Sequence, residues 1–564
     1  MLNSLDQKDE AYQLARRGLK LNLKSHVCWH VLGLLYRSDR NYAEALKCYK
    51  SALRMDPGNA QILRDLSVLQ LHQRDVSGYT ETRRQLLAAK PGQKQNWLAF
   101  AVAEHLRGEH SLALGVLEKM DSIFQGSEEP MGKYERSELL LYRAYLSAES
   151  GQLDTALSVL DSKEIVDTVG RLELQVSLYI KQGQVGSCKP LLKQLLAINP
   201  SHEGYLLCLF AACGVLPKET AEEHGKRWLR LDQTGYDMSL EWTEKSSSDN
   251  ETVSVSKGRS VTFPKASPAI VLRKISPKSD MFDRLKSIKS EYLGAHTKSD
   301  QFQLLLLLLL PSESPEFTHE LTDFVKAKLE KAVPTAFKML RVLYVQPHKA
   351  EIVSTVLINF SQDSSQDTSF NAHALMSLAH HYDFVGEFDA ALENIEKAIS
   401  VSPSSIDLYV LKAKVLKHLG NKQAASETWE IARKLDLADR YLNSKSVKAL
   451  LRIGEIEKAK EIVMLFSKDS LTSTKSNLTD MQCMWWEFEL GNALAAKGDK
   501  DAALQVWKDT KKHFDDMTED EFDFAFYCLR KMTLRAYVDF LKLQDRLKSH
   551  KYYTRIANAI AAHE

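Results

Sequence analysis

Apolar residues recur along most of this 564-residue chain at the spacing that places them on one face of an α-helix, and polar turns separate one such segment from the next. The pattern fails over one long stretch, residues 244–279, which is rich in Ser, Thr, Lys and Pro. Such a composition is typical of a flexible surface insertion, with a regulatory or docking segment as the alternative. The pattern therefore predicts an all-α protein with a break near its middle.

The helical segments repeat about every 34 residues, which is the length of a tetratricopeptide repeat, a pair of antiparallel helices. One strong copy begins at Trp29 and another at Leu375. Weaker copies follow the first as far as Pro200, and further copies follow the second. No repeat buries its apolar face alone, so the repeats must stack into a solenoid, a superhelical ring of about eight or nine helix pairs. The first copy carries the full signature: Trp29, Leu32, Gly33, Tyr36, Ala45, Tyr49, Ala52 and Pro57.

The size of each signature residue follows from this packing. Gly33, Ala45 and Ala52 are small, so we expect the helices to approach one another most closely there, with Tyr49 filling the remaining space. Pro57 begins the next turn because proline cannot extend a helix. Solenoids of this kind serve many roles, so the signature predicts the fold and leaves the function open.

These patterns divide the chain into three predicted segments: a tetratricopeptide array over 1–235, a partly disordered connector over 236–314, and a second array over 315–564. The leucine run Leu304–Leu310 is shorter than the roughly 20 residues that cross a membrane, so we expect a buried helix there. The N-terminus shows no apolar signal segment, and the seven cysteines include no C-x-x-C pair. We therefore expect a cytoplasmic protein without a zinc or redox centre.

Charge and motifs weigh against two broad functions. The formal net charge is only +1, so nucleic-acid binding would need a local basic patch. The glycine loops of nucleotide-binding proteins and the metalloprotease and serine hydrolase motifs are missing from the sequence, as is the acyl-CoA signature of N-acetyltransferases. His380 and His381 fall on a predicted repeat helix, where packed histidines outnumber metal ligands. We expect neither a catalytic site nor a metal site.

Basic residues concentrate in two neighbouring repeats of the second array, within LKAKVLKHLGNK (411–422) and LADRYLNSKSVKALL (437–451). Stacked repeats place corresponding helices side by side, so Lys414 and Lys445 could face one point. Cations that converge without acids between them repel one another unless water or an anion screens them. Two interpretations stay open: a solvated basic face, or a site for a polyanion such as a phosphate-rich small molecule.

Several long stretches resemble the auxiliary subunit of the NatA N-terminal acetyltransferase complex. The resemblance extends over about residues 1–210 and 325–555 and is weak over the connector. Family members also extend further at both ends, so contacts that they make through those ends stay open for this chain. The stretches are residues 18–70, the two basic segments above, MQCMWWEFELGNAL (481–494) and FDFAFYCLRKMTLRAYVDFLKLQD (522–545).

The resemblance implies a non-catalytic scaffold in the cytoplasm. Members wrap a catalytic acetyltransferase, which itself binds acetyl-CoA, and anchor it to ribosomes for acetylation of nascent chains. A second acetyltransferase and a small regulatory subunit are further implied partners, and no membrane is implied. Arg530, Lys531, Arg535 and Trp486 are candidates for contacts with the partner or the ribosome; the alternatives are that Trp486 packs in the core and that FDFAFYCLRK is a packed helix with solvated basic ends. It also implies inositol hexakisphosphate at the subunit interface, held by Lys414, Lys417, Arg440, Lys445 and Lys448.

The competing class is a general tetratricopeptide adaptor that binds peptides or chaperones. Lys448 and Arg452 have the Lys-x3-Arg spacing that ends the carboxylate clamp of such adaptors. The asparagines that complete the clamp are missing from the equivalent positions of the two preceding repeats. A subunit of some other large assembly is a second alternative, against which only the family stretches argue.

Overall fold

Helices make up nearly all of the described chain in this computed structural model, which confirms the prediction of an all-α tetratricopeptide solenoid. The exception is an antiparallel pair of short strands, β1 (Asn250–Ser256) and β2 (Arg259–Pro264). No helix among the described residues is long and apolar enough to cross a membrane. The structure describes residues 7–124, 131–222, 250–256, 259–264, 267–273, 280–294, 298–363, 367–466 and 478–564.

One compact unit contains the described residues of 1–191, 222–236 and 515–547. Its helices pair in sequence as tetratricopeptide repeats do, and two helices from late in the chain join them. They are α1 (Lys8–Leu21), α2 (His26–Ser38), α3 (Tyr42–Met55), α4 (Ala60–His72), α5 (Val76–Ala89), α6 (Lys94–Leu106), α7 (His110–Phe124), α8 (Lys133–Glu149), α9 (Leu153–Leu160) and α10 (Thr168–Lys181), with Glu521–Lys531 and Leu534–Asp545 from the late segment.

The second compact unit contains the described residues of 192–221, 237–514 and 548–564, and α11 (Lys189–Ile198) and α26 (Lys500–Glu519) each have residues in both units. Its other helices are α12 (Glu203–Ala212), α13 (Pro268–Leu272), α14 (Met281–Ile288), α15 (Asp300–Leu309), α16 (Pro315–Glu330), α17 (Ala336–Leu340), α18 (Pro347–Gln362), α19 (Thr368–Val385), α20 (Phe388–Val401), α21 (Ile406–His418), α22 (Lys422–Leu435), α23 (Arg440–Arg452), α24 (Ile456–Met464), α25 (Met484–Ala496) and α29 (Lys551–His563). The late helices of the first unit are α27 (Glu521–Lys531) and α28 (Leu534–Asp545).

The signature residues of the first repeat pack as predicted. Ala45, Tyr49 and Ala52 are fully buried, and a side chain at Gly33 would meet the Tyr49 ring at 2.6 Å. Polar side chains cap the helices at their first turn; Asn59, for example, accepts hydrogen bonds from the N–H groups of residues 61 and 62 at the start of α4. Close packing inside each helix pair therefore follows directly from the sequence pattern.

The leucine run of α15 is buried over residues 304–310, which confirms the predicted buried helix. It belongs to the segment predicted as a connector, whose described residues also form β1, β2, α13 and α14. Part of the Ser- and Pro-rich stretch 244–279 lies outside the described residues. The division into three segments at 235 and 314 stays a prediction.

In the first unit, the late helices α27 and α28 pack on the first helices of successive repeats. They contact α4, α6 and α8, and they share one apolar core with those helices. This core joins residues that are about 400 positions apart in sequence, and it closes the face that the first helices of these repeats would otherwise expose. Its members include Leu98, Val102, Tyr142, Leu146, Ala525, Cys528, Leu529, Tyr537 and Val538.

Two arginines add ion pairs to this closure. Arg40 and Arg74 occupy the same turn in successive repeats, and each has a left-handed backbone with φ of 58°. In the next repeat Gly108 occupies this position and is also left-handed. The left-handed conformation costs roughly 1–2 kcal/mol for a residue with a side chain. Arg74 offsets that cost by pairing with Glu521, whose side chain is only 3% exposed.

We predict that Arg74→Gly lowers the apparent free energy of unfolding in urea by about 2–4 kcal/mol. The substitution leaves Glu521 buried without its cation, which typically costs about 3–5 kcal/mol, while glycine recovers about 1 kcal/mol of backbone strain. Arg40→Gly is the matched control, because Arg40 has the same backbone conformation but its partners Asp516 and Glu519 are more exposed. Its effect should stay within about 1 kcal/mol, and equal losses in the two variants would contradict the role given to Glu521.

Candidate anion-binding site

The predicted site residues lie on the first helices of two consecutive repeats in the second unit. Lys414 and Lys417 are on α21, and Arg440, Lys445 and Lys448 are on α23. Helix α23 begins at Arg440 because the Asp439 side chain accepts a hydrogen bond from the N–H group of residue 441. Apolar residues on one side of each helix are buried, which leaves the lysines along the other side.

The structure brings four lysines close enough to repel one another. Burial lowers the pKa of Lys414 below its usual 10.5, and the charge of Lys445 lowers it further. Burial is also the largest cause that lowers the pKa of Lys445 and of Lys448. The charges of Arg452 and Lys417 lower the pKa of Lys445 further, and the charge of Lys445 lowers that of Lys448. None of the four lysines forms an ion pair with a carboxylate of the described residues.

Three carboxylates stand near this lysine cluster, defined as Lys414, Lys417, Lys445 and Lys448. Asp383 and Asp407 favour the charged form of Lys414, and Glu489 favours that of Lys445 and Lys448. Two of these acids already have partners, because Asp383 lies 2.7 Å from the His418 ring and Glu489 pairs with Arg452. The acids therefore offset only part of the repulsion.

Aromatic rings fix two of the lysine side chains. The Lys448 ammonium lies 4.7 Å from the centre of the Trp485 ring, and that of Lys445 lies 5.1 Å from the centre of the Tyr441 ring. A cation over an aromatic face is attracted by the ring quadrupole, by about 0.5–1 kcal/mol at exposed sites. These contacts hold the ammonium groups in place without neutralising them, so they remain available to an anion.

Two further arginines border the cluster. Arg341, in a 3₁₀ turn over 341–345, lowers the pKa of Lys414, and Arg452 lowers that of Lys448. The shared face has a periodic signal in the sequence, because residues 380, 414 and 448 are spaced by one repeat length. Arg341 precedes the recognisable repeats, so no periodic signal marks it.

Arg440 lies at the margin of the site. Its guanidinium is 5.6 Å from the centre of the Phe466 ring. Burial raises the pKa of the Cys483 thiol, and the charges of Lys448 and Arg440 both lower it, so both cations lie near this thiol. The assignment of all five predicted residues to one ligand stays a prediction.

Other candidates from the sequence have different environments. Trp486 is 3% exposed and packs in a core, so its assignment as a partner contact was wrong. Arg535 pairs with Glu138 and Asp167 inside the first unit, whereas Arg530 and Lys531 are exposed. His381 is buried with Tyr344 and Ser354 as hydrogen-bond partners.

Antiparallel helix pairs that stack in sequence define this chain as a tetratricopeptide repeat protein. Residues 26–59 match the tetratricopeptide repeat family, and residues 134–563 match the family described as N-terminal acetyltransferase A, auxiliary subunit. The chain belongs to this NatA auxiliary subunit family, as the sequence resemblance predicted.

Relatives match along nearly the whole chain. It is 37% identical over 574 residues to the NatA auxiliary subunit NAA15 of Arabidopsis thaliana, covering 99% of this chain and 57% of that protein. It is 33% identical over 575 residues to the human NatA auxiliary subunit N-alpha-acetyltransferase 16, covering 99% and 58%. The chain thus spans less than two thirds of the length of these relatives.

A solved structure shares the fold as well as the sequence. Naa15, in the structure of Naa15/Naa10 bound to HypK-THB, superposes with a TM-score of 0.80 and is 31% identical. The match covers 99% of this chain and 75% of the Naa15 chain. The relatives are named auxiliary subunits, which agrees with the expectation that this chain is not itself the enzyme.

We predict that Lys414→Met raises the free energy of unfolding in urea of the chain without ligand at pH 7. The increase should exceed the roughly ±0.5 kcal/mol that is typical of surface substitutions. The folded state depresses the pKa of Lys414, so its charge opposes folding at pH values below that depressed pKa. As pH rises towards 10.5, the folded protein releases the proton first and wild type gains stability, so the advantage of the variant should shrink.

Lys412→Met is the matched control for this prediction. Lys412 is on the same helix but pairs with Glu396 at 2.6 Å. Removing a compensated surface charge should leave the midpoint unchanged or slightly lower. A Lys414 variant that is no more stable than the Lys412 variant would show that the lysine repulsion is already screened.

Proposed function

We propose that this chain is a non-catalytic scaffold that binds a catalytic N-terminal acetyltransferase and anchors it to ribosomes for co-translational acetylation. One observation carries the proposal: 99% of the chain matches Naa15 in sequence and fold, and in that solved structure Naa15 is assembled with Naa10. The partner would bind acetyl-CoA and perform the chemistry. A small regulatory subunit, which the HypK-THB segment of that structure suggests, and a second acetyltransferase are further proposed partners.

The mechanism we infer is a shift in the conformational population of the partner. A scaffold that contacts the active conformation better than the inactive one raises the active fraction by that difference in binding free energy. Stacked repeats suit this task because their cores are closely packed and resist deformation. Anchoring to the ribosome would add a second effect, a higher local concentration of emerging N-termini.

We further propose that inositol hexakisphosphate binds at the lysine cluster and lies between the scaffold and the catalytic subunit. The cluster supplies uncompensated ammonium groups, and Arg341, Arg440 and Arg452 stand at its margin. A dense polyanion would convert the repulsion among the lysines into attraction, so ligand binding and subunit assembly would support each other.

The contacts of Arg452 argue against the adaptor alternative. The Lys-x3-Arg spacing of Lys448 and Arg452 would serve a carboxylate clamp only if both cations pointed at a peptide terminus. Arg452 instead makes a bidentate pair with Glu489 of α25. No observation on the described residues favours peptide capture over subunit assembly.

The proposal predicts a stable one-to-one complex between this chain and a small catalytic NatA-type acetyltransferase. Co-purification and light scattering would measure the complex, and acetyl transfer to peptides that start with Ser or Ala would measure its activity against the catalytic subunit alone. We expect activity on these peptides to rise several-fold on assembly. A chain that is folded by circular dichroism yet forms no complex, or a complex without raised activity, would contradict the scaffold role.

The anion proposal predicts that inositol hexakisphosphate raises the melting temperature of the assembled complex. At 100 times its Kd a ligand stabilises by about 2.7 kcal/mol. The double variant Lys414→Gln and Lys445→Gln should abolish the shift, whereas Lys412→Gln should keep it. Sulfate at equal ionic strength separates specific binding from charge screening. No shift in the complex, or the same shift with sulfate, would sink the anion proposal and leave the scaffold proposal standing.

A further inference from the structure

Two histidines and a glutamate converge in the first unit, at residues that the proposed function does not use. His105 is near the end of α6, His110 begins α7, and Glu149 ends α8. Their atoms His105 Nε2, His110 Nδ1 and Glu149 Oε2 all lie within 4.8 Å of one another. The Glu149 oxygen is 2.7 Å from His105 Nε2 and 3.2 Å from His110 Nδ1.

The Glu149 carboxylate is held by His105 and Tyr145, yet its atom Oε2, which faces both histidines, is not aligned for a regular hydrogen bond. Glu149 Oε2 and His110 Nδ1 are both buried, and neither makes a hydrogen bond of acceptable geometry to a described residue. Buried polar atoms normally have such a partner. Three potential ligand atoms therefore face one point, and a bound cation could be shared by all three.

The surroundings of His105 match those of a metal-binding histidine. Its other ring nitrogen, Nδ1, lies 2.9 Å from the hydroxyl of the buried Tyr142. Ligand histidines usually have such a partner on the second nitrogen, which fixes the orientation of the ring. The contact turns Nε2 of His105 towards Glu149.

We propose that His105, His110 and Glu149 bind one divalent transition-metal ion, with zinc as the best chemical match. Zinc takes nitrogen ligands at about 2.0–2.1 Å and carboxylate oxygens at about 2.0–2.2 Å in a tetrahedral array, which sets its ligand atoms about 3.3 Å apart. The two separations that involve Glu149 are close to that value, and the two histidine nitrogens lie within 4.8 Å of each other. His110 is 26% exposed, so a water molecule can take the fourth position.

Such an ion would connect three helices from two successive repeats. Ligands on α6, α7 and α8 lie on either side of the junction between the pair α6–α7 and the pair α8–α9. The ion would stabilise folding by mass action, because the unfolded chain does not preform the site.

Zinc binding to the full chain tests this proposal. The chain is stripped with a chelator and then titrated with Zn²⁺ in competition with a chromophoric chelator. We expect wild type to bind one more equivalent than His110→Gln or Glu149→Gln. His30→Gln is the matched control, because His30 pairs with Asp65 at 2.7 Å but, among the described residues, is not part of a three-ligand group. It should keep the full stoichiometry.

Cobalt spectroscopy on the unmodified chain keeps the test independent of how the variants fold. Co²⁺ at the site should give the visible absorption of a tetrahedral centre, and Zn²⁺ should displace it. Tyr142→Phe should weaken zinc binding about 10- to 100-fold, because the partner of His105 Nδ1 is lost. Equal stoichiometry in wild type and both ligand variants, or a cobalt spectrum without a tetrahedral band, would overturn the proposal.

Discussion

The architecture of the first unit depends on the contact of the late segment 515–547 with the N-terminal repeats, which an apolar core and the buried ion pair between Arg74 and Glu521 hold together. Glu521 lies where its charge has almost no access to water, so it needs a cation. Arg74 provides that cation from a turn where its neighbour in the next repeat is glycine. The ion pair and the apolar core around Tyr537 together cover the first helices of the N-terminal repeats.

The second unit uses its first helices differently. Where α27 and α28 cover the first unit with apolar side chains, α21 and α23 carry lysines whose charges are only partly offset by nearby acids. Both surfaces come from the same helix-pair plan, in which the second helix of each repeat packs behind the first. The difference lies in which residues occupy the exposed side of the first helix: apolar residues that another segment covers in the first unit, and lysines in the second.

The sequence predicted the local parts of this structure well, because they depend on residues one repeat apart. Gly33 against Tyr49 follows from close packing within a repeat, and the meeting of Lys414 with Lys445 follows from the stacking of neighbours. The pairing of Arg74 with Glu521 spans 447 positions and has no periodic signal. Arg341 also has no periodic signal in the sequence, because it precedes the regular repeats. For Trp486 the sequence left a core position and a surface contact open, and the structure places the side chain in the core.

The closing of the first unit by residues 515–547 has a consequence for how the protein is made. About 320 residues separate the end of the N-terminal helices of this unit from the segment that completes their core. At about 5–20 residues per second, synthesis of that interval takes roughly 15 to 65 s. During this time the nascent repeats expose the surface around Leu98 and Tyr142 that the finished unit buries. Until residues 515–547 have been translated, we therefore expect the nascent repeats to be prone to aggregation and to be bound by chaperones.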